Sequence, residues 1–213
     1  MKHVSAVVVL MLILGCRSGE VRKEEARVEI NKSRPPKPME ARKRVAVIDF
    51  DDKTAYGQGR LGRAAADVLT RFLYDSQQFR MVDRQQVARI LEEQKFQQSG
   101  AVNPETAMKV GKLLGVQLLA CGTVSNFGIR TEGTEAVLYQ QKETVAESQV
   151  DVRLIDVETG EILFMDEGRG SAKRSIKGSL GLGGRMSYDE TLAGDSLRAA
   201  IARTVDNLID RAP

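Results

Sequence analysis

The order of apolar and polar positions divides the chain before any motif is considered. After Lys2-His3 comes an apolar run from Val4 to Leu14, closed by Gly15-Cys16. Residues 17–44 are polar and charged and cluster Pro35, Pro36 and Pro38, a composition that predicts an extended linker rather than packed structure. Periodic patterning begins at Val45-Ala-Val-Ile-Asp-Phe50, which predicts a strand. Leu61, Ala65, Val68, Leu69, Phe72 and Leu73 then recur at helical spacing. A short strand is expected over Phe79–Val82, followed by a helix capped by Asp83 with Val87, Ile90 and Leu91 facing inward. Asn103-Pro104 opens another helix, which Gly115 ends after Leu114. Val116–Val124 predicts a buried strand, and Val150, Val152 and Leu154 alternate with polar residues as a one-sided strand. Glu158-Thr159-Gly160 turns that strand into Glu161–Met165, and Leu197, Ile201, Val205, Leu208 and Ile209 predict a closing helix behind an Asp195/Ser196 cap. The fold class expected is α/β, a single mixed α/β domain.

Composition supports a globular chain, with 42% hydrophobic and 29% charged residues, and excludes a collagen-like, low-complexity or polytopic helical membrane protein. The net charge of +3 is unevenly placed. Residues 17–44 carry ten Lys/Arg against five Glu and Lys2 adds one more, so residues 45–213 carry −3. The basic balance belongs to the linker, and no nucleic-acid partner is expected.

The apolar run spans only about 16 Å as a helix, roughly half the hydrocarbon thickness of a bilayer. With its basic start and small-residue end it reads as a signal peptide over residues 1–15. Ile13-Leu14-Gly15-Cys16 resembles the bacterial lipobox. The resemblance implies that Cys16 carries acyl chains, palmitate among them, and becomes the mature first residue. Arg17 follows in place of the Asp associated with inner-membrane retention, which implies outer-membrane sorting. Residues 16–43 then form a flexible basic tether, and residues 44–211 the domain. Cys121 is left without a partner cysteine and sits in an apolar run, where it is expected to be a buried small hydrophobe.

Candidate catalytic chemistry is thin. The only histidine is His3, so no His-based triad or His-ligated metal can form in the body of the domain, and neither an enzyme nor a cofactor is expected. Gly57-Gln-Gly59-Arg-Leu-Gly62 spells the dinucleotide fingerprint, but six residues, Asp51 to Tyr56, separate it from the strand, whereas the fingerprint needs its first glycine at the strand end. A flexible loop is expected there. Asp49, Asp51 and Asp52 cluster without further defined ligands and are expected to be a solvated strand end.

The order of pieces resembles the CsgG family of outer-membrane lipoproteins, whose founding member forms the secretion channel for curli subunits. The resemblance rests on the lipobox, Val45–Phe50, Phe72-Leu-Tyr-Asp-Ser-Gln-Gln-Phe79, Asp83-Arg84-Gln85, Leu91-Glu-Glu-Gln-Lys95, Leu118-Leu-Ala-Cys-Gly-Thr-Val124 and Val150-Asp-Val-Arg-Leu-Ile-Asp-Val-Glu-Thr-Gly-Glu-Ile-Leu163. It implies two β-hairpin extensions, about 122–157 and 161–194, that contribute to a shared transmembrane barrel, with Met186–Leu192 as the return arm of the second. It also implies a ring of identical subunits facing the periplasm, and a constriction loop at Thr54–Gly59 that offers Tyr56 and Gln58 to the pore. Two functions are compatible with it. One is passive export of curli-like or adhesin subunits through such a ring. The other is a periplasmic adaptor or assembly lipoprotein that keeps the domain, builds no pore and acts through protein contacts.

Overall fold

A computed structural model describes residues 29–30, 34–56, 59–93, 104–136, 139–178 and 190–211. Six strands form one mixed sheet: β1 Lys43–Val47, β2 Asp51–Asp52, β3 Phe79–Met81, β4 Leu118–Ala136, β5 Tyr139–Asp156 and β6 Ile162–Gly178. Among the described residues four α-helices accompany them: α1 Arg60–Asp75, α2 Arg84–Glu93, α3 Pro104–Leu114 and α4 Glu190–Arg211. The sheet order is β3-β1-β4-β5-β6, with β2 pairing β4 beyond the end of β1. β1 runs parallel to β3 and β4, while β4-β5 and β5-β6 are antiparallel.

Helices cover both sheet faces, and the burial shows why the strands read as continuous apolar runs. Val45 and Val47 look into one core with Leu69, Leu73, Leu197 and Ile201 from α1 and α4. Ala46 and Ile48 look into the other with Val87, Val110 and Leu114 from α2 and α3. The helix ends follow local chemistry. Asp83 Oδ1 accepts the backbone N–H groups of Gln85 (2.8 Å) and Gln86 (3.3 Å), capping α2. Gly115, at φ +61°, ends α3: its N–H donates to Lys112 O (3.1 Å) and that of Val116 to Gly111 O (3.0 Å), the paired bonds of a Schellman stop.

Three expectations change. The first strand is split, β1 ending at Val47 and β2 occupying Asp51–Asp52, because Phe50 N–H turns to Gly62 O (3.3 Å) at the start of α1. The strand expected over Val116–Val124 runs on to Ala136, within the 122–157 segment of the first expected hairpin, since each residue from Asn126 onward finds an antiparallel partner on β5. The second hairpin extension is corrected. Its outgoing arm is β6, but residues 190–194 of the expected return are the first turn of α4, because Leu192 and Ala193 continue the buried helical stripe of Ser196, Leu197, Ala200 and Ile201. Ser196 is therefore no cap: its hydroxyl donates to Ala193 O (2.9 Å) inside the helix. Residues 179–189 of that arm lie outside the described residues.

The linker boundary also has structure. Pro35 O accepts from Gln78 Nε2 (2.9 Å), Lys37 N–H donates to Gln77 O (3.3 Å), and Arg34 reaches Asp210 O (2.7 Å). Ile30 is buried in the α1/α4 core. Residues 34–42 thus lie against the domain, held by backbone polar groups whose partners a composition argument does not see.

Candidate functional site

Two features stand at the C-terminal ends of β1 and β2: the loop that precedes α1 and the long β4-β5-β6 ribbon. The loop is fastened at its start. Lys53 N–H donates to Val124 O (3.1 Å), and Asp52 Oδ1 accepts both the N–H (3.1 Å) and the hydroxyl (2.7 Å) of Thr54. Asp52 Oδ2 is buried with no hydrogen-bond partner among the described residues. Tyr56 follows, 52% exposed, with its ring edge-on to Phe127 at 5.3 Å and 80°. Phe127 is buried just past the irregularity between Val124 and Asn126, where β4 leaves the core. The aromatic pair joins the loop to the root of the ribbon, a contact across 71 sequence positions that no local pattern announces. Gly57 and Gln58, the second of the two residues expected at a constriction, lie outside the described residues.

The remaining glycines of the fingerprint have structural roles. Gly59 takes φ +81° to start α1, and a Cβ on Gly62 would run into the carbonyl of Phe50. Among the described residues no group of three or more His, Cys, Asp or Glu is arranged to hold a metal ion. Cys121 is fully buried, and burial pushes its thiol up from the ordinary value while the Arg153 charge works against that rise. A thiol so placed is a poor nucleophile.

The ribbon is two-faced. Phe127, Ile129, Ala146, Ser148, Gly168, Gly170 and Ala172 share the face that meets α4, as the register and the core grouping require. The contact is close. A Cβ on Gly168 would strike the backbone carbonyl of Ala200, and one on Gly170 would strike Ala200 N and Ser196 O. Ser148 and Ser196 hydroxyls meet at 2.6 Å, and Asn207 Nδ2 donates to Asp166 Oδ2 (2.7 Å). The opposite face is charged and matched: Arg130 with Glu147 (2.7 Å) and Glu132 (3.2 Å), Lys173 with Glu143 (3.2 Å), Arg169 with Glu167 (2.9 Å). No local pattern along β6 announces this neighbour; the packed helix makes Gly168 and Gly170 contact points.

The family described as "Curli production assembly/transport component CsgG" matches residues 25–212. The chain belongs to the CsgG family. A Neisseria meningitidis serogroup B protein provisionally named lipoprotein NMB1126/NMB1164 is 28% identical over 223 residues, covering 98% of this chain and 95% of that protein. Among solved structures, lipoprotein GNA1162 from Neisseria meningitidis has a TM-score of 0.44 at 18% identity, covering 78% of this chain and 99% of that one. The PelC dodecamer from Paraburkholderia phytofirmans has a TM-score of 0.41 at 14% identity, covering 81% and 90%. Among the described residues no helix is long and apolar enough to cross a membrane, which says nothing of strands.

Proposed function

We propose that this CsgG-family protein is an outer-membrane lipoprotein, anchored through Cys16, that serves as a periplasmic adaptor in envelope assembly and acts by protein contact rather than by chemistry. The observation that carries this reading is the seating of α4 on β6. A barrel strand needs about 9–11 residues with one face open to lipid. Here the inner face of β6 at Gly168 and Gly170 is taken by the helix backbone. Freeing it would expose Leu192, Leu197, Ile201 and Leu208, all now buried, each contributing about 1.5–3 kcal/mol by burial. The loop at Tyr56 and the ribbon beyond Phe127 supply the contact surface.

A second reading has its own support. β4 and β5 are 19 and 18 residues long, enough for a membrane strand beyond the part that α4 covers. In that reading copies of the chain form a ring, Tyr56 and Gln58 line its constriction, and curli-like or adhesin subunits pass outward without energy input. The lipidated protein purified in mild detergent and viewed by negative-stain averaging separates the two. Single copies or small open oligomers are expected. Closed rings with a detergent-belted rim would overturn the adaptor reading, and Tyr56→Ala would then be expected to change conductance.

A further inference from the structure

The end of the sheet opposite the loop and ribbon carries a different surface. β1 enters there with Lys43-Arg44, and parallel pairing sets Lys43 beside Phe79 and Arg44 beside Arg80. Arg44 N–H donates to Gln117 Oε1 (2.6 Å), and its Nη1 lies 3.6 Å from where a Cβ on Gly115 would sit, which brings the last turn of α3, with Lys112, to the same end. Lys43, Arg80 and Lys112 are exposed and Arg44 half-buried, and among the described residues none has an acidic side chain within ion-pair distance. Exposed apolar side chains accompany them: Met39 (57% exposed), Tyr74 (65%) and Leu113 (51%), the last beside Lys112 on α3.

Helix termini account for only part of these charges. α1 and α3 end here, and α4 with them, as the Arg34–Asp210 bond shows. Lys112 and Arg211 sit in the last turns of α3 and α4, where a cation offsets the partial negative charge of the helix end. Arg44, whose Nη1 lies against Gly115 at the end of α3, shares that role, whereas Lys43 and Arg80 are on strands and have no such duty. The acidic groups at this end include Glu40, Asp75, which is paired with Arg71 (2.8 Å), Asp210 in the last turn of α4, and the β5-β6 turn with Asp156, Glu158 and Glu161. That turn lies two strands away from β1, about 10 Å.

We propose that this end of the domain docks on an anionic phospholipid surface, with Lys43, Arg44 and Arg80 against phosphate headgroups and Met39 and Tyr74 at the level of the headgroup boundary. Clustered cations beside exposed amphipathic side chains are the chemistry of interfacial attachment. The inference rests on the lipid-anchor reading for its setting. Thirteen residues separate Cys16 from Ile30, which is already packed in the core, about 45 Å at full extension, so an acylated Cys16 keeps this end within reach of a bilayer.

Vesicle flotation tests it with the full mature chain bearing Cys16→Ser, so that no acyl chain contributes. Binding is expected to phosphatidylglycerol/phosphatidylethanolamine vesicles and not to phosphatidylcholine, and it should weaken as salt is raised. Lys43→Glu with Arg80→Glu should cut the binding about tenfold or more. Met39→Ala with Tyr74→Ala should cut it without changing the salt slope. Arg17→Glu with Arg22→Glu, in the tether, should change it less than the Lys43/Arg80 pair. Circular dichroism verifies that each variant is folded. No binding to anionic vesicles, or loss only with the tether variant, overturns the proposal. Palmitate labelling of the wild-type chain is read separately: absence of label would remove the anchor reading and leave the vesicle result to be judged alone.

Discussion

The β4-β5-β6 ribbon is one continuous piece of hydrogen-bonded sheet, yet its two halves are held by different physics. In the rooted half, Phe127, Val150, Val152, Leu154 and Phe164 are buried against α1 and α4, and Gly168 and Gly170 let the helix backbone touch the strand. In the half that continues past Phe127, the face away from α4 buries Val145 and is otherwise built of exposed pairs such as Arg130–Glu147 and Lys173–Glu143. Apolar burial contributes roughly 25 cal/mol per Å², whereas exposed ion pairs contribute at most about 1 kcal/mol each. The rooted half therefore fixes the fold, and the other half is available to make contacts at small cost to stability.

The sharpest way to break that contrast is Gly170→Val. Its side chain has nowhere to go between β6 and α4, and a loss of about 3 kcal/mol or more is expected, measured by urea denaturation. Leu197→Ala, at a fully buried position on α4, should cost about 2–5 kcal/mol in the same assay. Ser148→Ala leaves Ser196 with only its Ala193 carbonyl and is expected to cost about 1 kcal/mol. Arg130→Ala should cost less than about 1 kcal/mol, and the loss should shrink as salt is added. A large effect at Arg130 would show that the outer half is structurally coupled to the root after all.

Cys121 supplies a pH test of the rooted half. Burial holds its thiol protonated above the ordinary value of 9.0. Stability from this group is therefore fully present below the unfolded pKa and lost as pH rises through the folded one. Denaturation of wild type against Cys121→Ala should show the wild type losing its relative advantage only above about pH 9.

Legibility in the sequence followed the range of the interactions. The stripe of α1, the Asp83 cap, the Gly115 stop and the Thr159-Gly160 turn are decided within a few residues, and the chain itself displays them. The onset of α4 was misjudged because Asp195-Ser196 has cap chemistry, while the buried stripe that extends the helix to Glu190 rests on small residues, Ala193 and Ser196, that carry little hydropathy signal.

By itself, then, the sequence determined a single α/β domain behind a basic linker, a lone buried cysteine and membership of a family, since periodicity, composition and motif order are local properties. The tertiary structure alone decided that Tyr56 leans on Phe127, that residues 34–42 dock on the domain, and that Gly168 and Gly170 admit α4 to the face of β6. Each of these joins residues far apart in the chain through shape or a backbone group, and neither shape nor backbone polarity is written in residue type.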